Sequence, residues 1–336
     1  MSGPAAGPIV VGGAPGIELH VLATGATVQR LLVPGGDGVR RDVVLGLPDG
    51  DAVRAGSAYV GSIVGRYANR VAHGRFTLDG VGHELPVNDR GHHLHGGPDG
   101  FHTREWRVVQ HDDDAVELEL LSPAGDAGYP GELRVRARYE VGEDVVVLTL
   151  SATTDAPTIV NLTGHSYWNL AGTLDTSAHV LRVPAPTYRP VDDAGIPTAG
   201  PTPVDGTAFD LQAPRRLEEL AFLDHHLDVG EADTVVDGTL RLLAELDEPT
   251  TGTRLQVWSD QPGLQVYTGE AFDGSEKDLR GRPLVSGCGV ALEPQLPPDS
   301  PNHEGEAGWP SAVLRPGETY RARTEWRFAA AGAPTR

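Results

Sequence analysis

The sequence predicts an all-β protein: a large antiparallel β-sandwich forming one domain over residues 1–336, with its core at about 8–328. Three observations carry that prediction. Several segments alternate apolar and polar residues at period 2, as strands with one buried and one wet face do. The 43 Gly and 27 Pro punctuate short segments instead of forming low-complexity tracts. Long amphipathic patterns at the 3.6-residue helical period are nearly absent, so strands follow one another without helices between them, which favours antiparallel sheets. In chain order, 116–120 (Val-Glu-Leu-Glu-Leu) and 133–139 (Leu-Arg-Val-Arg-Ala-Arg-Tyr) alternate strictly, the second with three arginines on one face. Residues 145–150 form the next strand, the Pro-rich 184–205 a long structured loop, and Arg215–Phe222 a short helix. Strands follow at 240–246, 254–259 and 264–268. The clearest alternation is 320–328, where Tyr320, Ala322, Thr324, Trp326 and Phe328 take one face; 329–336 reads as a flexible tail.

Composition narrows the function. Acidic residues number 47 against 27 basic ones, a formal net charge of −20. Nucleic acids and anionic membranes bind through clustered Lys and Arg, so neither is an expected partner. A neutral small molecule suits this field better than a phosphorylated one. The single cysteine, Cys288, excludes an intrachain disulfide framework and a multi-Cys zinc site, and reads as a buried, inert thiol. The segment MSGPAAGPIVVGG has no basic n-region and no long apolar h-region, and no stretch approaches the roughly 18 apolar residues of a membrane span. A soluble, cytoplasmic protein, monomeric or weakly dimeric, is expected. There is no Walker A loop, no dinucleotide fingerprint ahead of a helix and no G-x-S-x-G elbow.

Polar, aromatic and histidine residues cluster in turn-rich segments: GRYANRVAHGRFTLDG with LHGG further on, GHSYWNL at 164–170, LDHH at 223–226, GLQVYTG at 263–269, and LEPQ at 292–295 leading to PDSPN. Asn, Gln, Asp, Glu, Arg, His and aromatic side chains are those that bind sugar hydroxyls and stack on a pyranose face. Each has a plainer reading. His165 alone reads as a satisfied structural histidine, and Glu293, ending an apolar run, as a surface residue. His93 and His95, at i and i+2, share a strand face and suit a metal, but no third or fourth ligand can be named. His92 and His93 fit a solvated turn, His225 and His226 loop positions, and Arg66 a structural ion pair. Asn69 and Gln265 could satisfy backbone groups in turns; Tyr67 and Trp168 read as core or pocket wall.

Taken together and in this order, the segments resemble the aldose 1-epimerase (galactose mutarotase) family, from about Gly61 to Phe328, with DGTAFDL at 205–211 and WPSAVLRPGETY as further matches. The resemblance implies a galactose mutarotase-like supersandwich. It places the family's catalytic histidine at His165 and its catalytic glutamate at Glu293, with His95 supporting the ring-oxygen side. Asn69, Arg70, Asp224 and Gln265 fall on its sugar-contacting positions. Gly164, where many members carry Asn, and His225-His226, where His-Asn is more usual, depart from the pattern without removing a group the reaction needs.

Exchange of α and β anomers requires opening a cyclic hemiacetal: a base takes the C1 hydroxyl proton while an acid protonates the ring oxygen. Such positioned proton transfer typically contributes about 10²–10⁴-fold. Glu293 is expected as base, and His165 as acid because imidazolium is populated near neutral pH. No cofactor and no metal are expected. The substrate that the resemblance implies is a free aldohexose such as galactose or glucose. Alternatives are a non-catalytic sugar-binding module, a hexose-6-phosphate 1-epimerase, which would need extra cations beside Arg66 and Arg70, and a glycoside hydrolase or lyase, in which Asp224 would partner Glu293.

Overall fold

The alternating segments do become strands. A computed structural model of the chain describes residues 7–230, 235–236 and 239–330. The largest sheet runs, in spatial order, through Arg107–His111, Ala115–Ser122, Leu133–Val141, Val145–Thr154, Tyr320–Ala330, Thr253–Ser259, Leu240–Glu248, Val180–Arg182 and Arg215–Arg216. The described strand pairs are antiparallel, as hairpin-linked strands with one wet face should be. The wet face is laced by cross-strand charge pairs: Arg134 and Arg136 reach Glu119 and Glu117 at 3.2 and 2.8 Å. The opposite face supplies Val135, Leu148, Val257, Trp326 and Phe328 to the main core.

A second antiparallel sheet, ordered Tyr167–Trp168, Val290–Gln295, Gly263–Tyr267, Asp224–Asp228, Thr187–Tyr188 and Thr202–Pro203, lies on that core through Trp168, Val290, Leu292, Leu264, Val266 and Leu227. Trp168 meets Trp326 of the large sheet edge to face, with ring centroids 5.1 Å apart. Since side chains alternate across a sheet, the other face of this sheet carries Asp224, Gln265 and Glu293. The register sets Gln265 directly opposite Glu293 and His226 opposite Gln265.

Two local expectations change and a third gains detail. Arg215–Phe222 is a bridge at Arg215–Arg216 and one short 3-10 turn at Leu217–Glu219, because the turn's apolar side chains are too few to bury a helical face. The last strand extends through Ala330, its end paired to Thr253 and Arg254, so 329–330 belong to the sheet; 331–336 lie outside the described residues. The long 184–205 segment is anchored by two short strands within the second sheet. Among the described residues no helix is long and apolar enough to cross a membrane.

Candidate active site

The polar face of the second sheet is roofed by loops from the N-terminal half, enclosing a pocket of about 500 Å³. Glu293 lies at its floor, held by Val290–Gln295 between the Tyr167–Trp168 and Gly263–Tyr267 strands. Its neighbour across the pocket is His165, whose Nε2 stands 3.5 Å from Glu293 Oε1. Both are almost wholly buried. His165 is fixed through its backbone: its N–H donates to Ser62 O, and its carbonyl accepts from Gly61 N–H, each at 2.9 Å.

His95 completes the group, its ring 5.3 Å from that of His165 and roughly perpendicular to it. The segment around Asn69 positions it. Asn69 N–H donates to His95 Nδ1 at 3.1 Å while His95 N–H donates to Asn69 O at 3.2 Å. An imidazole nitrogen that accepts carries no hydrogen, so the proton of neutral His95 sits on Nε2. Asn69 and His95 both take left-handed backbone, φ 64° and 51°. Asn69 stabilises its own by accepting Arg70 N–H on Oδ1 at 2.8 Å. Arg70 Nε donates to Asp89 at 2.9 Å and its Nη1 lies 3.8 Å from Asp224. The guanidinium rests on Gly195, φ +83°, where a Cβ would come within 2.8 Å of it.

The structure thus brings Glu293, His165, His95, Asn69, Arg70 and Asp224 to one cavity. Gln265 stands behind that lining: its Nε2 donates to Asp224 Oδ1 at 2.7 Å, so it holds a pocket residue from the sheet side. Tyr59, Asp89, Arg90, Phe222, Tyr267 and Glu270 also line the pocket and were not singled out from sequence. They lie on loops and strand ends with no period to mark them.

Electrostatics correct one expectation. Burial, reinforced by His102, holds the His165 pKa at about 4, so the site does not present an imidazolium at neutral pH. Burial and the Asp224 charge push Glu293 well above the usual carboxylate range, against the opposing pull of Arg70. Burial also keeps His95 neutral, helped by the neighbouring His165 and Arg70.

His95, His165 and Glu293 each offer one donor atom within 4.8 Å of the others, a group with the makings of a metal site. Metal-bound histidines normally donate their second ring N–H to an acceptor. Here Nδ1 of His95 accepts an N–H instead, which commits Nε2 to its proton. The arrangement therefore suits proton transfer better than metal ligation.

The other histidines take structural places. His93 is fully buried, with ring nitrogens 2.7 Å from Pro86 O and Tyr129 Oη, so it neither lies in a solvated turn nor shares a ligand face with His95. His92 is buried too and accepts His73 N–H at 2.9 Å. His225 and His226 belong to the strand Asp224–Asp228, and His226 is inaccessible, because the strand continues where a loop was expected. Arg66 makes no ion pair among the described residues. Its buried guanidinium donates to the carbonyls of Ser122, Pro123, Pro130 and Gly131 and to the Ser122 hydroxyl, tying down the loop beneath Gly65. Tyr67 and Trp168 are core residues. Cys288 is buried, with a thiol pKa pushed up to about 11 by burial.

Residues 9–327 match the family model described as aldose 1-epimerase. The galactose mutarotase of Rattus norvegicus is 36% identical over 323 residues, covering 94% of this chain and 92% of the rat protein. The aldose 1-epimerase of Escherichia coli K12 is 36% identical over 325 residues, covering 94% and 93%. Among solved structures, an aldose epimerase homologue from C. elegans superposes with a TM-score of 0.89 at 29% identity, covering 98% of this chain and 100% of that one. The alternating strands, the sheet register that sets Glu293 before His165, and the match along nearly the whole chain agree: this chain belongs to the aldose 1-epimerase family.

Proposed function

We propose that the protein interconverts the α and β anomers of a free aldohexose such as galactose or glucose, with Glu293 and His165 as the two proton carriers. The observation that carries this reading is the facing of Glu293 Oε1 and His165 Nε2 at 3.5 Å on the floor of a polar and aromatic pocket. Its volume of about 500 Å³ falls within the usual range for small-molecule sites.

In this reading the pair carries one proton, and burial, which lowers the proton affinity of His165 and raises that of Glu293, favours it on Glu293. Moving it to His165 produces a carboxylate and an imidazolium, a separation that the Arg70 cation favours at Glu293. The carboxylate then accepts the C1 hydroxyl proton while the imidazolium protonates the ring oxygen, and the C1–ring oxygen bond breaks. After rotation about C1–C2 the ring closes with the roles reversed. Each proton returns to its origin, so turnover changes neither the pair nor the sugar's formula. His95 Nε2–H donates on the ring-oxygen side. Asn69, Arg70 and Asp224 hold the remaining hydroxyls, so that rotation is confined to one end; Gln265 acts through Asp224.

The charge of the lining favours a neutral sugar over a hexose 6-phosphate. Asp89, Asp224 and Glu270 surround the pocket against only Arg70 and Arg90, and carboxylates engage both arginines. Arg66 is absent from the lining. A purely binding module has no use for two proton carriers that face each other.

The test is the rate at which fresh α-D-galactose and α-D-glucose reach rotational equilibrium, corrected for the spontaneous rate. Wild type should accelerate it, and Glu293→Gln and His165→Gln should each lose about 10²–10⁴-fold in kcat. A wild-type rate equal to background on every neutral aldose would overturn the proposal.

A further inference from the structure

Tyr59 belongs to none of the motifs that mark the site, yet it touches more of the histidine cluster than any other aromatic residue. Its ring centroid lies 4.6 Å from that of His95, 4.6 Å from that of His102 and 5.8 Å from that of His165. Its backbone is left-handed at φ 56°, a conformation that costs a bulky residue about 1–3 kcal/mol and persists only where its surroundings enforce it.

Those surroundings are visible. The chain leaves the helix Gly50–Ala55 through Gly56 and passes directly under Glu276, on the strand Asp273–Lys277. Glu276 Oε1 accepts Ser57 N–H at 2.7 Å and Ala58 N–H at 3.2 Å. A Cβ at Gly56 would lie 3.2 Å from the same oxygen, so the fit is tight. Beyond Tyr59, its carbonyl accepts Ser62 N–H at 3.0 Å. Gly61 and Ser62 then make the two hydrogen bonds that fix His165. One short segment therefore begins at the Glu276 clasp, presents the Tyr59 ring to three imidazoles, and ends on the backbone of His165.

We propose that Tyr59, fastened by Glu276, is a positioning residue: its ring sets the orientation of His165 and His95 and shuts water from their faces. The groups facing His165 are His95, His102, Tyr59, Tyr167 and Glu293, with Arg70 and Asp224 further along the pocket. Tyr59 is the one of these carried on a loop whose shape depends on a single external carboxylate. With the ring removed, water reaches His165 and its desolvation falls, so its proton affinity rises toward that of a free imidazole. The ring carries the contacts with the imidazoles, so Tyr59→Phe, which keeps it, should leave the His165 midpoint where wild type has it.

Two readouts test this. In ¹³C-histidine-labelled protein, the His165 ring resonances, assigned with His165→Gln, are titrated in wild type, Tyr59→Phe, Tyr59→Leu and Glu276→Ala. Tyr59→Leu should raise the His165 midpoint by about one pH unit or more. Glu276→Ala, which leaves the ring in the chain but frees its loop, should shift it less and in the same direction. In rotation kinetics, kcat of Tyr59→Leu should fall roughly 10-fold with KM within about 3-fold, and its acid limb should move up with the NMR midpoint. A merely structural role would lower the melting temperature without moving that midpoint. An unchanged His165 titration in folded Tyr59→Leu overturns the proposal, and where that variant does not fold, an unchanged titration in Glu276→Ala does so. The kinetic readout rests on the anomer-exchange reading and the titration does not. A shifted midpoint in a protein without activity would therefore remove that reading and leave this one standing.

Discussion

At the residue scale, the shared proton of Glu293 and His165 sets the pH response. The pair works with one proton aboard. Below about pH 4 a second proton binds His165 and the base is lost. On the alkaline side the last proton leaves Glu293, and burial places that loss well above the ordinary carboxylate range. The rate corrected for background should therefore be bell-shaped, with its acid limb near pH 4 instead of the 6.5 of a free imidazole. An acid limb near 6.5 would show that His165 is hydrated in the working enzyme. A second prediction concerns Gly195, against which Arg70 rests at positive φ. Gly195→Ala strains the turn and displaces the guanidinium from Asp224. KM should rise about 10-fold, the worth of one charged hydrogen bond, while kcat changes by less than about 3-fold. Equal KM values for the two proteins would mean that Arg70 does not hold the sugar.

At the scale of the element, what could be read from sequence depended on how many faces of a strand are covered. The strand Tyr320–Ala330 has one wet face, so Arg321, Arg323 and Arg327 alternate with the core residues Ala322, Trp326 and Phe328, and the strand announces itself. Val290–Gln295 is buried on both faces, by the core and by the roof of the pocket, and its period disappears. Glu293 was found there only through its motif. Asp224, Arg70, Asn69, His95 and His165 were likewise legible as motif members, whereas Tyr59 depends on loop shape and on the bonds of Ser57 and Ala58 to Glu276, 219 and 218 residues away in the chain, which no local pattern records. His92, His93 and His226 read as turn or loop residues because polarity says nothing about what later covers a segment. The central strands invite a stability test. Trp326 is buried against Trp168 and between Val146 and Val257. Trp326→Ala should cost about 3–5 kcal/mol, read as a lower urea midpoint at unchanged m. A loss under about 1 kcal/mol would show that the two sheets do not depend on this contact.

At the scale of the whole molecule, burial of neutral imidazoles ties stability to pH. His93, His102, His165, His179 and His226 all have pKa values held near 4, with burial the leading cause in each. In the unfolded chain each returns to about 6.5. Between those values the unfolded state binds more protons than the folded one, so stability rises with pH and is lost as pH falls from 6.5 toward 4. A shift of this size is worth about 3 kcal/mol per histidine at the acid end. Five such groups together match or exceed the roughly 5–15 kcal/mol that holds a typical domain together. Buried carboxyls with raised values, Glu293, Asp42 and Asp299, act in the opposite sense, since their folded forms hold protons that the unfolded chain releases. They are fewer than the five histidines, so the histidines set the sign of the slope. The melting temperature should therefore fall steadily from pH 7 to pH 5, with unfolding before pH 4 and net proton uptake on unfolding measured by calorimetry in buffers of different ionisation enthalpy. Replacing His179, which lies outside the pocket lining and accepts Leu170 N–H, by Gln should flatten that slope while leaving the rate of anomer exchange unchanged. A melting temperature that stays level between pH 7 and pH 4.5 would mean that these imidazoles are hydrated in the folded protein, and the low acid limb expected for His165 would fall with them.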